Sequence, residues 1–160
     1  MKKIFLLFLF IFSMNSHAQK TDFWENVQYG GGFTVNFGNQ TTIGVSPSAV
    51  YNFNNGFSLG TGVTYIYSKF EDSKTNVYGA SIISLYQIPK INIQLSGEYE
   101  HSFAKQTVGA SSFNSDFPAL YLGAAYNKGK FAFGFRYDVL YDENKSVYAS
   151  AFSPIVRFYF

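Results

Sequence analysis

From residue 27 onward the chain keeps one period, an apolar or aromatic residue at every second place. In Val27–Phe37 the odd positions are Val27, Tyr29, Gly31, Phe33, Val35 and Phe37, and the even ones are Gln28, Gly30, Gly32, Thr34 and Asn36. Successive side chains of a strand point to opposite faces, so this is the pattern of strands with one apolar and one polar face. No stretch after residue 18 holds a helical period. Seven further segments repeat the alternation: Thr42–Phe53, Phe57–Tyr67, Asn76–Gln87, Ile91–Phe103, Pro118–Tyr126, Phe131–Leu140 and Val147–Phe160. Ile91–Phe103 is the clearest. In Asn76–Gln87 the period is weaker, because Ile83 and Leu85 sit opposite Tyr78, Ala80, Ile82 and Tyr86. Strands of soluble proteins run to about 5–6 residues and tilted membrane strands to about 9–11. Most of these segments fall in the longer class.

The connections alternate as well. NFNNG, QIPK and NKGK read as tight turns after the second, fourth and sixth segments. SKFEDSKT, AKQTVGASSFNSD and YDENKSV, after the third, fifth and seventh, read as longer polar loops, and GNQT after the first is the short exception. Short turns on one rim and longer loops on the other are the plan of an outer-membrane barrel, with the short turns periplasmic. An even strand count brings both chain ends to that same rim.

Volume separates this plan from a soluble barrel of the same size. The chain carries 19 Phe, 13 Tyr and Trp24, and only Phe5, Phe8, Phe10 and Phe12 lie near its start, in a segment read below as a cleaved signal. Eight strands enclose a space that side chains just fill, too little for most of the remaining rings. Their partners on the other phase are Gly, Ser, Thr, Asn, Gln and a few charges, which suit a narrow hydrogen-bonded interior. The rings therefore face outward, to lipid. Lipid tolerates no open strand edge, so the sheet has to close. The expected fold is all-β, an eight-stranded antiparallel up-and-down transmembrane β-barrel over residues 27–160.

The start of the chain fits export. Lys2 and Lys3 precede an apolar run from Ile4 to Phe12, and Ser16-His17-Ala18 supplies small residues where a signal peptidase reads. This is the form of a cleaved secretory signal over residues 1–18, too short for a membrane span. Residues 19–26 then form a periplasmic segment ahead of the barrel. Removing Lys2 and Lys3 leaves the mature chain near neutral, so no clustered basic face points to nucleic acid. The chain has no cysteine, which excludes disulfides and thiolate metal sites. With His17 removed, His101 is the one remaining histidine, and no cofactor or metal is expected.

The last strand ends on the final residue. Phe152, Val156, Phe158 and Phe160 lie on one phase, similar to the carboxy-terminal signal that the barrel-assembly machinery reads. The mature chain as a whole resembles small outer-membrane proteins of the OmpX/OmpA-like type. More narrowly, VSPSAVYNFNNGFSLGTGVTYIYS, VYGASI, GEYEHS, LYLGAAY, VLYDENKS and SPIVRFYF look like a family of small flavobacterial barrels. Some members of that family carry the automated label alpha-ketoglutarate decarboxylase. The chain shows no thiamine diphosphate motif to support that chemistry. The resemblance implies a fold and a location in the bacterial outer membrane and says little about activity. Contact with outer-membrane lipid and a monomeric state are expected, with no residue pattern that fixes the oligomeric state.

Five charged residues, Glu98, Glu100, Arg136, Asp138 and Arg157, share the polar phase. Isolated buried charge is costly, so they are expected to form a structural network in the lumen. Counting up each strand from the periplasmic rim pairs Glu98 with Arg136, sets Glu100 and Asp138 near the top, and leaves Arg157 lower and peripheral. Gly134→Ser, on the same phase, is expected to cost less than Phe135→Arg on the apolar phase if the interior has room. His101-Ser102 is the one arrangement suggesting catalysis, since some eight-stranded barrels are lipid A deacylases using His, Ser and an acid. Adjacent residues of a strand point to opposite faces, which argues against that use here. Tyr65, Tyr67, Tyr78, Tyr99, Phe103 and Tyr148 should form an outer aromatic girdle. Phe53, Phe57, Tyr86, Tyr126, Phe131, Phe158 and Phe160 should form an inner one. The expected role is non-enzymatic, structural or in surface interaction, with a lipid A-modifying enzyme and a narrow channel as alternatives. The loops at 68–75 and 104–116 are the surfaces open to an extracellular partner, whose identity carries no motif.

Overall fold

The computed structural model describes residues 22–36, 41–142 and 150–160. A four-residue helix, α1 (Asp22–Glu25), leads into β1 (Val27–Asn36), β2 (Thr41–Asn52), β3 (Phe57–Phe70) and β4 (Ser73–Gln87). β5 (Ile93–Val108), β6 (Ser111–Lys128), β7 (Phe131–Asp138) and β8 (Phe152–Tyr159) follow. Each strand pairs with the next, all antiparallel, and β1 pairs with β8 to close an eight-stranded barrel. The signal segment, Phe37, most of GNQT, Tyr148 and the start of the expected eighth strand lie outside the described residues.

Both described ends meet one rim, called the lower rim here. α1 caps it: the Phe23 ring stacks on Tyr51 at 4.9 Å, and Asn52 N–H donates to the Asn26 carbonyl at 2.8 Å. The tight turns expected after β2, β4 and β6 all lie on this rim.

The upper rim departs from expectation. SKFEDSKT and AKQTVGASSFNSD are mostly strand, not loop. β3 and β4 stay paired up to Phe70↔Ser73, leaving only Glu71 and Asp72 to turn. β5 and β6 stay paired up to Val108↔Ser111, leaving Gly109 and Ala110. Strands β3 to β6 are consequently 14, 15, 16 and 18 residues long and rise above their neighbours. Near this rim both phases of the strands carry polar residues, Lys69, Lys74 and Lys105 on one and Ser68, Ser73 and Gln106 on the other, so the composition there resembles a loop.

Both two-residue turns have a positive φ at their first residue, 58° at Gly109 and 51° at Glu71. Glycine adopts that conformation freely, whereas a residue with a Cβ meets the following carbonyl. Glu71→Gly is therefore expected to stabilise the folded barrel by up to about 1 kcal/mol. A urea titration of the two proteins measures it, and an unchanged or lower midpoint would refute the strain.

The ladders are staggered around the barrel. A row of partners that starts at Gln94 passes through Ala125, Gly134 and Ile155. At the seam the Gly32↔Arg157 register carries it to Thr34. It continues through Gly44, Ile66 and Val77 and returns to β5 at Ala104, ten residues above its start. Stagger and strand tilt are linked in a closed barrel. Partners in one row therefore sit at different heights.

The interior is filled in layers. Near the lower rim Val50, Ile83, Leu85, Ala125, Ala132 and Tyr159 form one buried apolar cluster. Near the upper rim Ile66, Val77, Ala104 and Phe117 form another. Ile83 and Leu85, which weakened the alternation of the fourth segment, are thus interior residues. Tyr121, Phe117 and Tyr159 are aromatic rings that face inward, not outward. An added Cβ at Gly134 would run into the backbone of Ala124 and Ala125. The room expected for a serine there is missing, and the limit is the adjacent strand, not the lumen.

Candidate functional site: a charged layer in the barrel interior

Between the two apolar clusters lies a layer built around Glu98. This residue points inward from β5 because it shares the phase of Gln94, Ser96, Glu100 and Ser102, all buried. Arg136 of β7 approaches Glu98 Oε2 through Nη1 at 3.3 Å. Arg157 of β8 donates through Nη2 to Glu98 Oε1. One carboxylate thus accepts from two guanidinium groups, each to its own oxygen. The Arg136 guanidinium also lies over the Tyr121 ring, 3.8 Å from its centroid, a cation–π contact.

Arg157 is central, contrary to its expected peripheral place. Counting residues along single strands leaves out the stagger between strands, which changes the relative height of β5 and β8. Its Nη2 also lies 3.4 Å from Ser96 Oγ, and its side chain is only 13% exposed.

Glu100 and Asp138 are held separately. Glu100 accepts from the Thr64 and Ser102 hydroxyls, each at 2.9 Å. Asp138, near the top of β7, accepts from the backbone N–H groups of Leu120 at 3.1 Å and Leu140 at 3.0 Å through Oδ1. It ties the end of β7 to β6. Below the charged layer, the Tyr159 hydroxyl donates to Gln94 Oε1 at 2.7 Å.

Five residues that complete this arrangement were not singled out as site residues from the sequence: Thr64, Gln94, Ser96, Tyr121 and Tyr159. All five occupy the inward phase, and strict parity on each strand finds them.

The charged side chains border a cavity of about 100 Å³. Its far wall is small: Gly31, Gly32, Ser46, Ser48, Gly62 and Ser81. The lining is more polar than apolar, and the space is enough for water. Arg157, whose Nη1 is buried without a protein hydrogen-bond partner, lines it.

His101 and Ser102 diverge. His101 lies on the outward phase, its Nε2 3.3 Å from Asp116 Oδ2. Ser102 is buried inside, bonded to Glu100. This pair does not form a nucleophile with its base. Among the described residues no group of His, Cys, Asp or Glu has the arrangement of a metal site.

Phe152, Val156 and Phe160 are exposed on the outward phase of the terminal strand. Phe158 shares that phase and meets the Phe33 and Phe131 rings at 5.7 and 5.2 Å. Fold and interior together define a closed, filled, eight-stranded antiparallel β-barrel. No family model, curated protein or solved structure matches this chain.

Proposed function

We propose that this is a bacterial outer-membrane β-barrel with a structural or surface-interaction role, exported by its amino-terminal signal and working without catalysis. One observation carries the reading. Among the described residues, the outward phase between Lys128 at the lower rim and the row Lys69, Lys74, Lys105 and Asp116 above has no Asp, Glu, Lys or Arg. It presents exposed Phe33, Ile43, Val63, Ile82, Leu122 and Phe135, among others, around the barrel. Soluble monomers rarely expose a contiguous apolar surface beyond a few hundred Å², and an apolar band flanked by aromatics is the lipid-facing surface of a barrel.

The aromatic belts support the same reading. On the upper side the Tyr65 and Tyr78 rings lie 5.2 Å apart, and the Tyr65 hydroxyl donates to Asn76 Oδ1 at 3.0 Å. On the lower side Phe53 neighbours Phe57 at 5.6 Å. The interior argues for a scaffold over a channel. Apolar clusters above and below the charged layer leave the cavity about 100 Å³. The divergence of His101 and Ser102 argues against a deacylase.

The expected result is a heat-modifiable protein of the outer-membrane fraction, running faster unboiled than boiled on a gel. Recovery of the mature chain as a soluble periplasmic monomer would overturn the proposal.

A further inference from the structure

We propose that the outward face of β3, β4 and β5, just above the upper aromatic belt, binds a lipid headgroup that carries phosphate. The inference rests on the outer-membrane reading and adds a ligand class and a site to it.

The ladder sets like charges against each other. Lys69 of β3 is the direct partner of Lys74 of β4. Lys105 of β5 is the partner of Asn76, the next outward position below Lys74. Like charges directly opposite across a strand pair oppose folding. The carboxylates at hand do not pair with these lysines. Glu71 and Asp72 form the adjoining turn, and Asp116 lies against His101. Among the described residues none of the three lysines makes an ion pair. All three are exposed. An anion seated between Lys69 and Lys74 turns their repulsion into a shared attraction.

The surroundings have the polarity order of a lipid. A groove of about 360 Å³ runs along Lys69, Glu71, Asp72, Lys74, Thr107 and Gly109. A second, of about 290 Å³, lies beside it, lined by the Tyr78 and Phe103 rings, by Lys105 and by Asp116, whose carboxylate lies against His101. Rings below and ammonium groups above fit a ligand with an apolar body and an anionic head. The height agrees as well. Lys74 is twelve residues along β4 from Tyr86 of the lower belt. At about 3.3 Å per residue and a tilt of about 40°, that is a rise of about 30 Å, just past an apolar band about 25 Å tall. Lysine binds phosphate as a point charge and needs no bidentate geometry.

The test compares the refolded full-length mature chain with Lys74→Gln, with the triple variant Lys69→Gln/Lys74→Gln/Lys105→Gln, and with the charge-matched variant Lys90→Gln/Lys128→Gln/Lys130→Gln at the lower rim. Each is placed in phosphatidylcholine vesicles with and without bis-phosphorylated lipid A. In neutral vesicles Lys74→Gln should melt higher than the native chain, because repulsion is relieved. With lipid A the native chain should gain enough stability to melt above the variant, which should lose most of that gain. Retention of lipid A in native mass spectrometry should fall about a hundredfold in the triple variant, at roughly 1 kcal/mol for each of its three lysines, and little in the lower-rim control. If the triple variant does not fold, the inverted order of Lys74→Gln between the two vesicles still decides. Equal retention by the triple variant and the control overturns the site, as does an unchanged order of melting. A stability gain from inorganic phosphate alone, equal to that from lipid A, overturns the lipid assignment. Failure to insert into either vesicle overturns the outer-membrane reading and this site with it. Insertion without preference for lipid A overturns this site alone.

Discussion

Replacing Phe135 by arginine is expected to cost about 2–4 kcal/mol in a refolding titration into lipid vesicles. Phe135 stands in the middle of β7 on the outward phase, 57% exposed, its ring stacked on Phe152 with centroids 5.0 Å apart. On the proposed outer-membrane reading, a guanidinium at that depth would have to remain in hydrocarbon or reach a rim, and either would disturb the lipid around it. Phe135→Leu keeps the surface apolar and loses mainly the ring pair, so it should cost about 1 kcal/mol. The gap between the two variants isolates the charge from the stacking. In a water-facing barrel the arginine would be harmless or favourable, since it would replace an exposed ring by a soluble group. A cost for Phe135→Arg no larger than that for Phe135→Leu would therefore remove the lipid-facing assignment of this surface.

Much of the wall was legible in the sequence, because period two is a property of each strand by itself. Ile91–Phe103 needs no partner to show that Leu95 and Tyr99 share a side. What a strand cannot show alone is where it stands against the others. Arg157 sits a few residues from the chain end, and its contact with Glu98 depends on the stagger between β5 and β8. Only the pairing register reveals that stagger. The upper rim was illegible for a different reason. Above the belt, Lys69, Lys74 and Lys105 on one phase alternate with Gln106, Ser73 and Ser68 on the other, and polar residues on both phases look the same in a strand and in a loop. Inside the barrel, Ile66, Val77, Ile83 and Leu85 are apolar on the phase read as polar. They fill the space above and below the charges, and parity places them only after the neighbouring strands have established which face is the interior.

The charged layer yields the other large effect. Glu98→Gln is expected to destabilise the barrel by about 3–5 kcal/mol, the cost of leaving buried charge without its partner. Here the loss is compounded, since Glu98 serves both Arg136 and Arg157. The two arginines should not couple to it equally. Arg136 keeps the Tyr121 ring under its guanidinium when the carboxylate is gone, and its side chain is 21% exposed. Arg157 is 13% exposed and keeps a 3.4 Å contact with Ser96. Removing a charge together with its partner need not be costly, because the desolvation of both is removed as well. Glu98→Gln/Arg157→Met should therefore recover more of the loss than Glu98→Gln/Arg136→Met. Two double-mutant cycles in a urea titration measure the two coupling energies, and each pair is close enough for additivity to fail. Zero coupling in both would mean that Glu98 holds neither arginine in the folded barrel. A larger coupling to Arg136 than to Arg157 would place the centre of the layer on β7 instead of β8.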